Sequence, residues 1–223
     1  GIIEAFEPRL SDLESPGSGA ELRPLDRWLL ARTQAFLEEA ERAFEAFMTV
    51  GVTRAFKSFV DDVSNWYIRR SRRRFWEKSD EAAFRTLWYA LVQALRVISP
   101  LMPFLAEHLW RNLVARPCAG APESVFLAGW PATQADLLDR SILDEVSAVR
   151  QAIELGRAAR HFRDHLGASD ADRDRQADTL ADLATQAFRD LRRRAGDPLE
   201  AANVEKRLLH RHALDHRGGL LED

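Results

Sequence analysis

Apolar residues recur every three or four positions along most of the first 160 residues, the spacing of an amphipathic α-helix. The runs are separated by residues that end or begin helices, such as Gly51, Asp80, Pro100 and Pro103. The pattern predicts helices at residues 25–47, 52–76, 80–99, 103–114 and 135–162. The fold class we expect is therefore all-α, a helical bundle.

The same spacing predicts which side chains form the core. In the second helix the apolar stripe consists of Val52, Ala55, Phe56, Phe59, Val60, Val63 and Tyr67. Phe104, Leu105, Leu109 and Trp110 are the expected anchors of the fourth helix, and Phe47 ends the stripe of the first. Residues 124–127 are short, apolar and extended in character, so we expect Phe126 and Trp130 to lie across the bundle.

Three regions follow from this pattern. Residues 1–24 form a linker that leads into the bundle, with a flexible Ser-Pro-Gly-Ser-Gly break at 15–19. Residues 25–162 form the bundle. Residues 163–223 form a C-terminal extension, helical or partly disordered, because 163–182 contain few large apolar groups. A weaker helix is expected at 180–191.

Composition narrows the class of protein. The chain has 223 residues, of which 46% are hydrophobic, enough for a real core. Its single cysteine, Cys118, excludes an internal disulfide and is typical of a reducing compartment. No apolar run approaches the roughly 18 residues of a membrane span, and the first 14 residues lack the pattern of a secretory signal. We therefore expect a cytoplasmic protein that does not contact membranes. Because it lacks a starting Met, it is either processed or a piece of a longer chain.

Charge is concentrated at one place. Residues 65–78 contain five Arg and one Lys against one Glu, a net of +5, whereas the whole chain has a net charge of −3. If residues 65–76 are helical, Asn65, Arg69, Arg72 and Trp76 fall within about 60° of one another, and Arg73 lies beside them. A cationic stripe with one flat aromatic ring suits phosphates and a stacked base. These five residues are the candidate binding site.

Two arginines of the run point elsewhere on the same helical wheel. Arg70 and Arg74 continue the apolar line of Val63 and Tyr67, so we expect them at the edge of the core, paired with carboxylates of neighbouring helices. The alternative interpretation of the whole run is a solvated, salt-bridged helix face. Asp61 and Asp62 lie upstream and can pair only one or two of the arginines.

Other chemistry is absent from the sequence. There is no Gly-rich phosphate loop that follows a strand and opens a helix, and a single cysteine provides no zinc-binding pair. His161 with His165 and His212 with His216 have the spacing of metal ligands, but without further ligands they are interpreted as surface histidines. We expect no metal site and no catalytic residues.

Four segments, which follow one another in the same order as in the family, carry a resemblance. Residues 61–76 read DDVSNWYIRRSRRRFW, residues 25–32 read LDRWLLAR, residues 99–110 read SPLMPFLAEHLW, and residues 122–131 contain PESVFL and WP. Together they resemble the anticodon-binding domain of isoleucyl-tRNA synthetase, a class I aminoacyl-tRNA synthetase. The resemblance covers about residues 25–160 and fades at 161–167, where the family continues into a basic segment that this chain lacks.

The resemblance implies a fold and a function. It implies a helical bundle of the class I anticodon-binding type and a tRNA partner, specifically tRNA(Ile). The family joins isoleucine to its tRNA using ATP and Mg, in a catalytic domain upstream of the bundle that is missing from this sequence, as is the editing domain. We therefore expect the chain to need no cofactor and to be inactive alone, without isoleucine-dependent pyrophosphate exchange. The alternative is a protein-interaction module that kept the fold and lost tRNA binding.

Overall fold

The computed structural model describes residues 6–14, 16, 21–76, 80–165, 179 and 182. The chain forms two compact units, Gly1–Leu143 and Asp144–Asp223. Seven α-helices are described: α1 Ser11–Glu14, α2 Pro24–Glu45, α3 Thr49–Asp61, α4 Arg69–Trp76, α5 Glu81–Ile98, α6 Pro103–Trp110 and α7 Arg140–His165. Asp62–Ile68 and Arg111–Ala115 are π-helical, and Val125–Leu127 and Ala135–Leu137 are 3-10 turns.

The all-α fold class is confirmed, since the described residues contain no strand. The five predicted helices are present with small shifts at their ends, except that the last begins at Arg140 after a separate 3-10 turn. The predicted bundle boundary near residue 162 stays a prediction. The predicted helix at 180–191, the 15–19 break and the His212–His216 pair lie wholly or almost wholly outside the described residues, as does most of the C-terminal extension. None of the described helices is long and apolar enough to cross a bilayer.

The core of the first unit is built around α5. Fourteen of its 18 residues are buried, so this helix has packing neighbours on nearly all sides. Helix α2 packs against both α3 and α5, and Phe36 of α2 stacks on Phe59 of α3 with ring centroids 4.6 Å apart. On the other side of α5, Trp88 and Trp110 are buried together with Val114 and Val125.

Several predicted core positions are wrong. Phe47 is 92% exposed, because α2 ends at Glu45, two residues before the predicted end, and the φ of 54° at Phe47 turns the chain away from the helix. Phe104 and Leu105 of α6 are 90% and 44% exposed, whereas Trp110 is buried as predicted, together with Ala106. Val60 of α3 is 42% exposed, because the buried line of that helix follows Phe59.

Residues 124–127 form a turn and not an extended segment. The Ser124 hydroxyl accepts a hydrogen bond from the Phe126 backbone N–H, at 3.3 Å, which favours the 3-10 turn. Val125 is therefore the buried residue, and the prediction for Phe126 is wrong because its side chain is exposed. Trp130 is 41% exposed, but its ring meets that of Phe44 of α2 edge-on, with the centroids 5.3 Å apart, so only this part of the prediction is supported.

The helical run from Thr49 to Trp76 keeps one face on the core by means of its π-helical segment. Phe59, Val63, Tyr67 and Ser71 are four residues apart and all are buried. In an ideal α-helix each four-residue step advances about 40° and carries the side chain off the core. The i→i+5 hydrogen bonding of Asp62–Ile68 makes wider turns and removes that drift. We call residues 49–76 the basic helix.

Arg74 joins the C-terminal end of the basic helix to two other helices. Its guanidinium donates two hydrogen bonds to the Asp26 carboxylate of α2, both 2.7 Å long. It donates two more to Asp80, at 2.6 and 3.0 Å. Asp80 in turn caps α5 by accepting from the Ala83 N–H at 3.1 Å. The predicted pairing of Arg74 with carboxylates of neighbouring helices is confirmed.

Asp26 is 0% exposed and its carboxylate has further donors. The Tyr67 hydroxyl donates to Oδ1 at 2.7 Å, and the Arg23 backbone N–H donates to Oδ2 at 3.0 Å. Burial and the Asp26 charge both raise the pKa of Tyr67, so this hydroxyl stays protonated and remains a donor. The buried carboxylate of Asp26 thus ties α2 to the basic helix, and the bonds between Arg74 and Asp80 extend this connection to α5.

We predict that Arg74→Met lowers the free energy of unfolding by about 3–5 kcal/mol, because it leaves the Asp26 charge buried without its cation. Urea unfolding at neutral pH measures this. The matched control is Arg70→Met, four residues earlier on the exposed surface, which should cost less than about 1 kcal/mol. Equal losses in the two variants would contradict the account.

Asp80 makes stability depend on pH. The hydrogen bonds from Arg74 lower the pKa of its carboxyl, with further help from the Ala83 N–H and against the effect of partial burial. Because the folded pKa lies below the unfolded value of about 3.9, this stabilisation is present above that pH and is lost as the pH falls through the folded pKa. We predict that Asp80→Asn, which keeps a capping side chain, shows a shallower loss of stability below about pH 4. Urea unfolding between pH 7 and pH 3 tests this, and parallel curves for the two proteins would contradict it.

Candidate nucleic-acid interface

The basic helix presents most of its charge to solvent. Six of its cations are exposed, namely Arg54, Lys57, Arg69, Arg70, Arg72 and Arg73, whereas the one exposed carboxylate of residues 49–76 is Asp61. The other local acid, Asp62, is buried and accepts a 2.7 Å hydrogen bond from Arg32 of α2. The surface of this helix is therefore strongly cationic.

All five candidate residues are exposed, namely Asn65, Arg69, Arg72, Arg73 and Trp76. Trp76 is 72% exposed at the end of α4, and the Arg72 guanidinium carbon lies 4.5 Å from its ring centroid. Asn65 lies in the π-helical segment and donates a 2.6 Å hydrogen bond to Asp61. Exposure permits binding by these side chains, and their role as a binding site stays a prediction.

The prediction for Arg70 is wrong. It is exposed, and its guanidinium carbon lies 3.6 Å from the ring centroid of Trp66. The physical reason is the π-helical segment, whose wider turns bring Ser71 onto the buried line in place of Arg70. A helical wheel drawn at a constant 100° per residue cannot include this shift.

Sequence reasoning also missed two features of the surface. The first is the Trp66–Arg70 pair, which repeats the arginine-on-tryptophan geometry of Arg72 and Trp76. Both pairs are four residues apart, and that spacing in the sequence is a signal for contact on a helix. The second is the pair of cations Arg54 and Lys57, about three turns or more before the arginine run. They line an open groove together with Asn65.

The arrangement suits the backbone and bases of RNA. Guanidinium groups on a rigid helix can bind phosphates without first being ordered, and flat aromatic rings can stack on unpaired bases. No group of three or more potential metal ligands lies within the described part of the chain. The side chains of His161 and His165 are not described.

The chain is similar to known tRNA ligases over the bundle. Residues 26–173 match the model of the anticodon-binding domain of tRNA ligase. The isoleucine–tRNA ligase of Streptomyces avermitilis is 42% identical over 147 residues, which is 66% of this chain and 14% of that protein. The isoleucine–tRNA ligase of Thermus thermophilus is 43% identical over 154 residues, 67% of this chain and 15% of that protein. That of Methanocella arvoryzae is 32% identical over 164 residues, 71% of this chain and 15% of that protein.

The chain thus spans about one seventh of the length of these relatives. The match includes three of the four segments that carry the resemblance and all but the first residue of the segment 25–32, and the relatives bear the family name that those segments indicate. Because the family match covers most of the chain and the structure is the expected helical bundle, the chain belongs to the family of anticodon-binding domains of tRNA ligases.

Proposed function

We propose that the chain is the tRNA-binding, anticodon-recognising portion of an isoleucyl-tRNA synthetase, with tRNA(Ile) as its partner. The observation that carries the proposal is the basic helix, whose six exposed cations outnumber its single exposed carboxylate. The identity to isoleucine–tRNA ligases from three organisms supports the choice of tRNA.

We propose different roles for the arginines and for Trp76. Arg69, Arg72 and Arg73 bind phosphates, which supplies affinity without reading sequence. Trp76 stacks on an unpaired base, and Arg72 beside its ring adds positive charge near the same nucleotide. Anticodon loops present unpaired bases of this kind, whereas bases inside a duplex cannot be stacked on in this way.

We propose that the ligase reaction named for the relatives takes place in a catalytic domain outside this sequence. We propose that ATP and Mg are used there and that this chain binds no cofactor of its own. We propose that the chain acts in the cytoplasm, where it meets its tRNA.

A second candidate is a protein-interaction module. It is favoured by exposed apolar side chains away from the basic helix, above all Phe104 and Leu127. The two candidates differ in their response to salt. Binding to phosphates weakens steeply as salt rises because bound counterions are released, whereas docking of an apolar protein surface does not require this.

We predict that Arg69→Gln and Arg72→Gln each weaken binding of a tRNA(Ile) transcript about five- to eightfold at ~0.1 M salt. Each lowers the slope of log K against log salt by about 0.7–0.9, the loss of one phosphate contact. Fluorescence anisotropy across a salt series measures both, and thermal melts should be unchanged because both side chains are exposed. The matched control is Arg116→Gln, an exposed arginine of a different segment, which should leave binding as it is.

Trp76→Leu separates stacking from charge. It should weaken binding through the loss of a stacked base, a contribution of about 1–3 kcal/mol, without changing the salt slope. Salt-independent binding of the unaltered chain, or binding unaffected by all three substitutions, would contradict the proposed function.

A further inference from the structure

An open groove lies along the N-terminal half of the basic helix, before the arginine run. Its volume is about 540 Å³, and the described residues that line it include Arg54, Lys57, Val60, Asp61 and Asn65. We call it the α3 groove. Arg54 lies on the order of 20 Å from Arg69 along the helix axis, towards the N-terminus. The cations of the groove therefore lengthen the cationic surface of the basic helix by about that distance.

One hydrogen bond orients the side chains of Asp61 and Asn65 in the α3 groove. Asn65 Nδ2 donates to Asp61 Oδ1 at 2.6 Å. A carboxylate only accepts, so the amide of Asn65 must present its NH2 group to Asp61, and its own Oδ1 remains an acceptor. Asp61 Oδ2 and Asn65 Oδ1 have no other hydrogen-bond partner within the described part of the chain. The groove therefore offers two acceptors at neighbouring places.

Cations and an apolar group surround these acceptors. Arg54 and Lys57 are exposed at the same groove and are one turn apart on α3. Val60 is the exposed apolar residue of the lining, and its side chain can pack against the face of a ring. The cations suit a phosphate, the acceptors suit the polar edge of a base, and the apolar side chain suits the face of its ring. The groove therefore has a contact for each of these parts of a nucleotide.

We propose that the α3 groove binds one unpaired nucleotide of the bound RNA and prefers a base that carries an exocyclic amino group. Arg54 and Lys57 hold its phosphates, Val60 packs on the base, and Asp61 with Asn65 accepts hydrogen bonds from the amino group. Carboxylates are suited to the N4 amino group of cytosine, whereas uracil presents a carbonyl oxygen at that position. This inference rests on the proposed function, because it requires that the chain binds RNA.

The substitution Asp61→Asn tests the proposal, because the affinity for RNA should rise under one interpretation of Asp61 and fall under the other. If Asp61 were only a charge near a polyanion, its neutralisation would tighten binding at every RNA. If Asp61 accepts from a base amino group, the variant binds a short oligocytidylate more weakly, and the preference for oligocytidylate over oligouridylate decreases. The two probes differ at position 4, an amino donor in cytosine and a carbonyl acceptor in uracil, and at N3, an acceptor in cytosine and an N–H donor in uracil. Oligocytidylate therefore offers the 4-amino group, and oligouridylate does not.

The experiment uses the full chain and fluorescence-labelled oligocytidylate and oligouridylate over a salt series. We expect the unaltered chain to bind oligocytidylate at least several-fold more tightly, and Asp61→Asn to remove most of that preference. Arg54→Gln and Lys57→Gln should each weaken binding of both probes about fivefold at ~0.1 M salt and reduce the salt slope by about 0.7. Arg116→Gln is again the control of equal charge change, and thermal melts of all variants check that they fold.

The outcomes distinguish this inference from the proposed function. If Arg69→Gln and Arg72→Gln weaken tRNA binding while the groove variants leave both probes unaffected, the basic helix binds RNA and the α3 groove does not. Tighter binding of both probes by Asp61→Asn would also overturn the inference. If the unaltered chain binds neither tRNA nor the probes, the proposed function itself fails.

Discussion

The hydrogen-bonded pair between Arg74 and the buried Asp26 is the interaction on which the rest of this structure depends. A carboxylate removed from water is costly unless its lone pairs are bonded and its charge is matched. Here a guanidinium, a tyrosine hydroxyl and a backbone N–H all converge on Asp26. This requirement can be met in one rotation of α4 about its axis. The same pair that stabilises the bundle therefore decides which arginines face solvent.

That constraint has a consequence for binding. With Arg74 and Ser71 turned inward, the remaining arginines of residues 69–74 are exposed together on α4. They are carried by a helix that is anchored at the core, so the backbone beneath them loses little conformational freedom on binding, and the entropic cost is that of ordering the side chains. The two tryptophans lie at the ends of the arginine run, each with a guanidinium over its ring. The exposed arginines of the basic helix thus lie between two aromatic rings.

The helices and much of the core were predictable from the sequence because they depend on local spacing. Pro24 and Pro103 lie in the first turns of α2 and α6, where proline is favourable, and Asp80 caps α5 as expected. The prediction failed where tertiary packing overrode that spacing. Arg70 was misplaced because a π-helical segment changes the phase, and Phe104 because it lies on the side of α6 opposite the buried Ala106. Among the site residues, exposure followed from the pattern, whereas the α3 groove depends on the three-dimensional arrangement of Arg54, Asp61 and Asn65.

The central claim is that RNA lies on the exposed face of the basic helix. Hydroxyl-radical footprinting of the full chain, with and without a tRNA(Ile) transcript, tests it most directly because exposed aromatic side chains report on their own surroundings. Trp76 on the basic helix and Phe104 on α6 are 72% and 90% exposed, so both are accessible in the free protein. We expect bound tRNA to slow oxidation of Trp76 and to leave the oxidation rate of Phe104 unchanged. Protection of Phe104 with Trp76 still fully reactive would contradict the account.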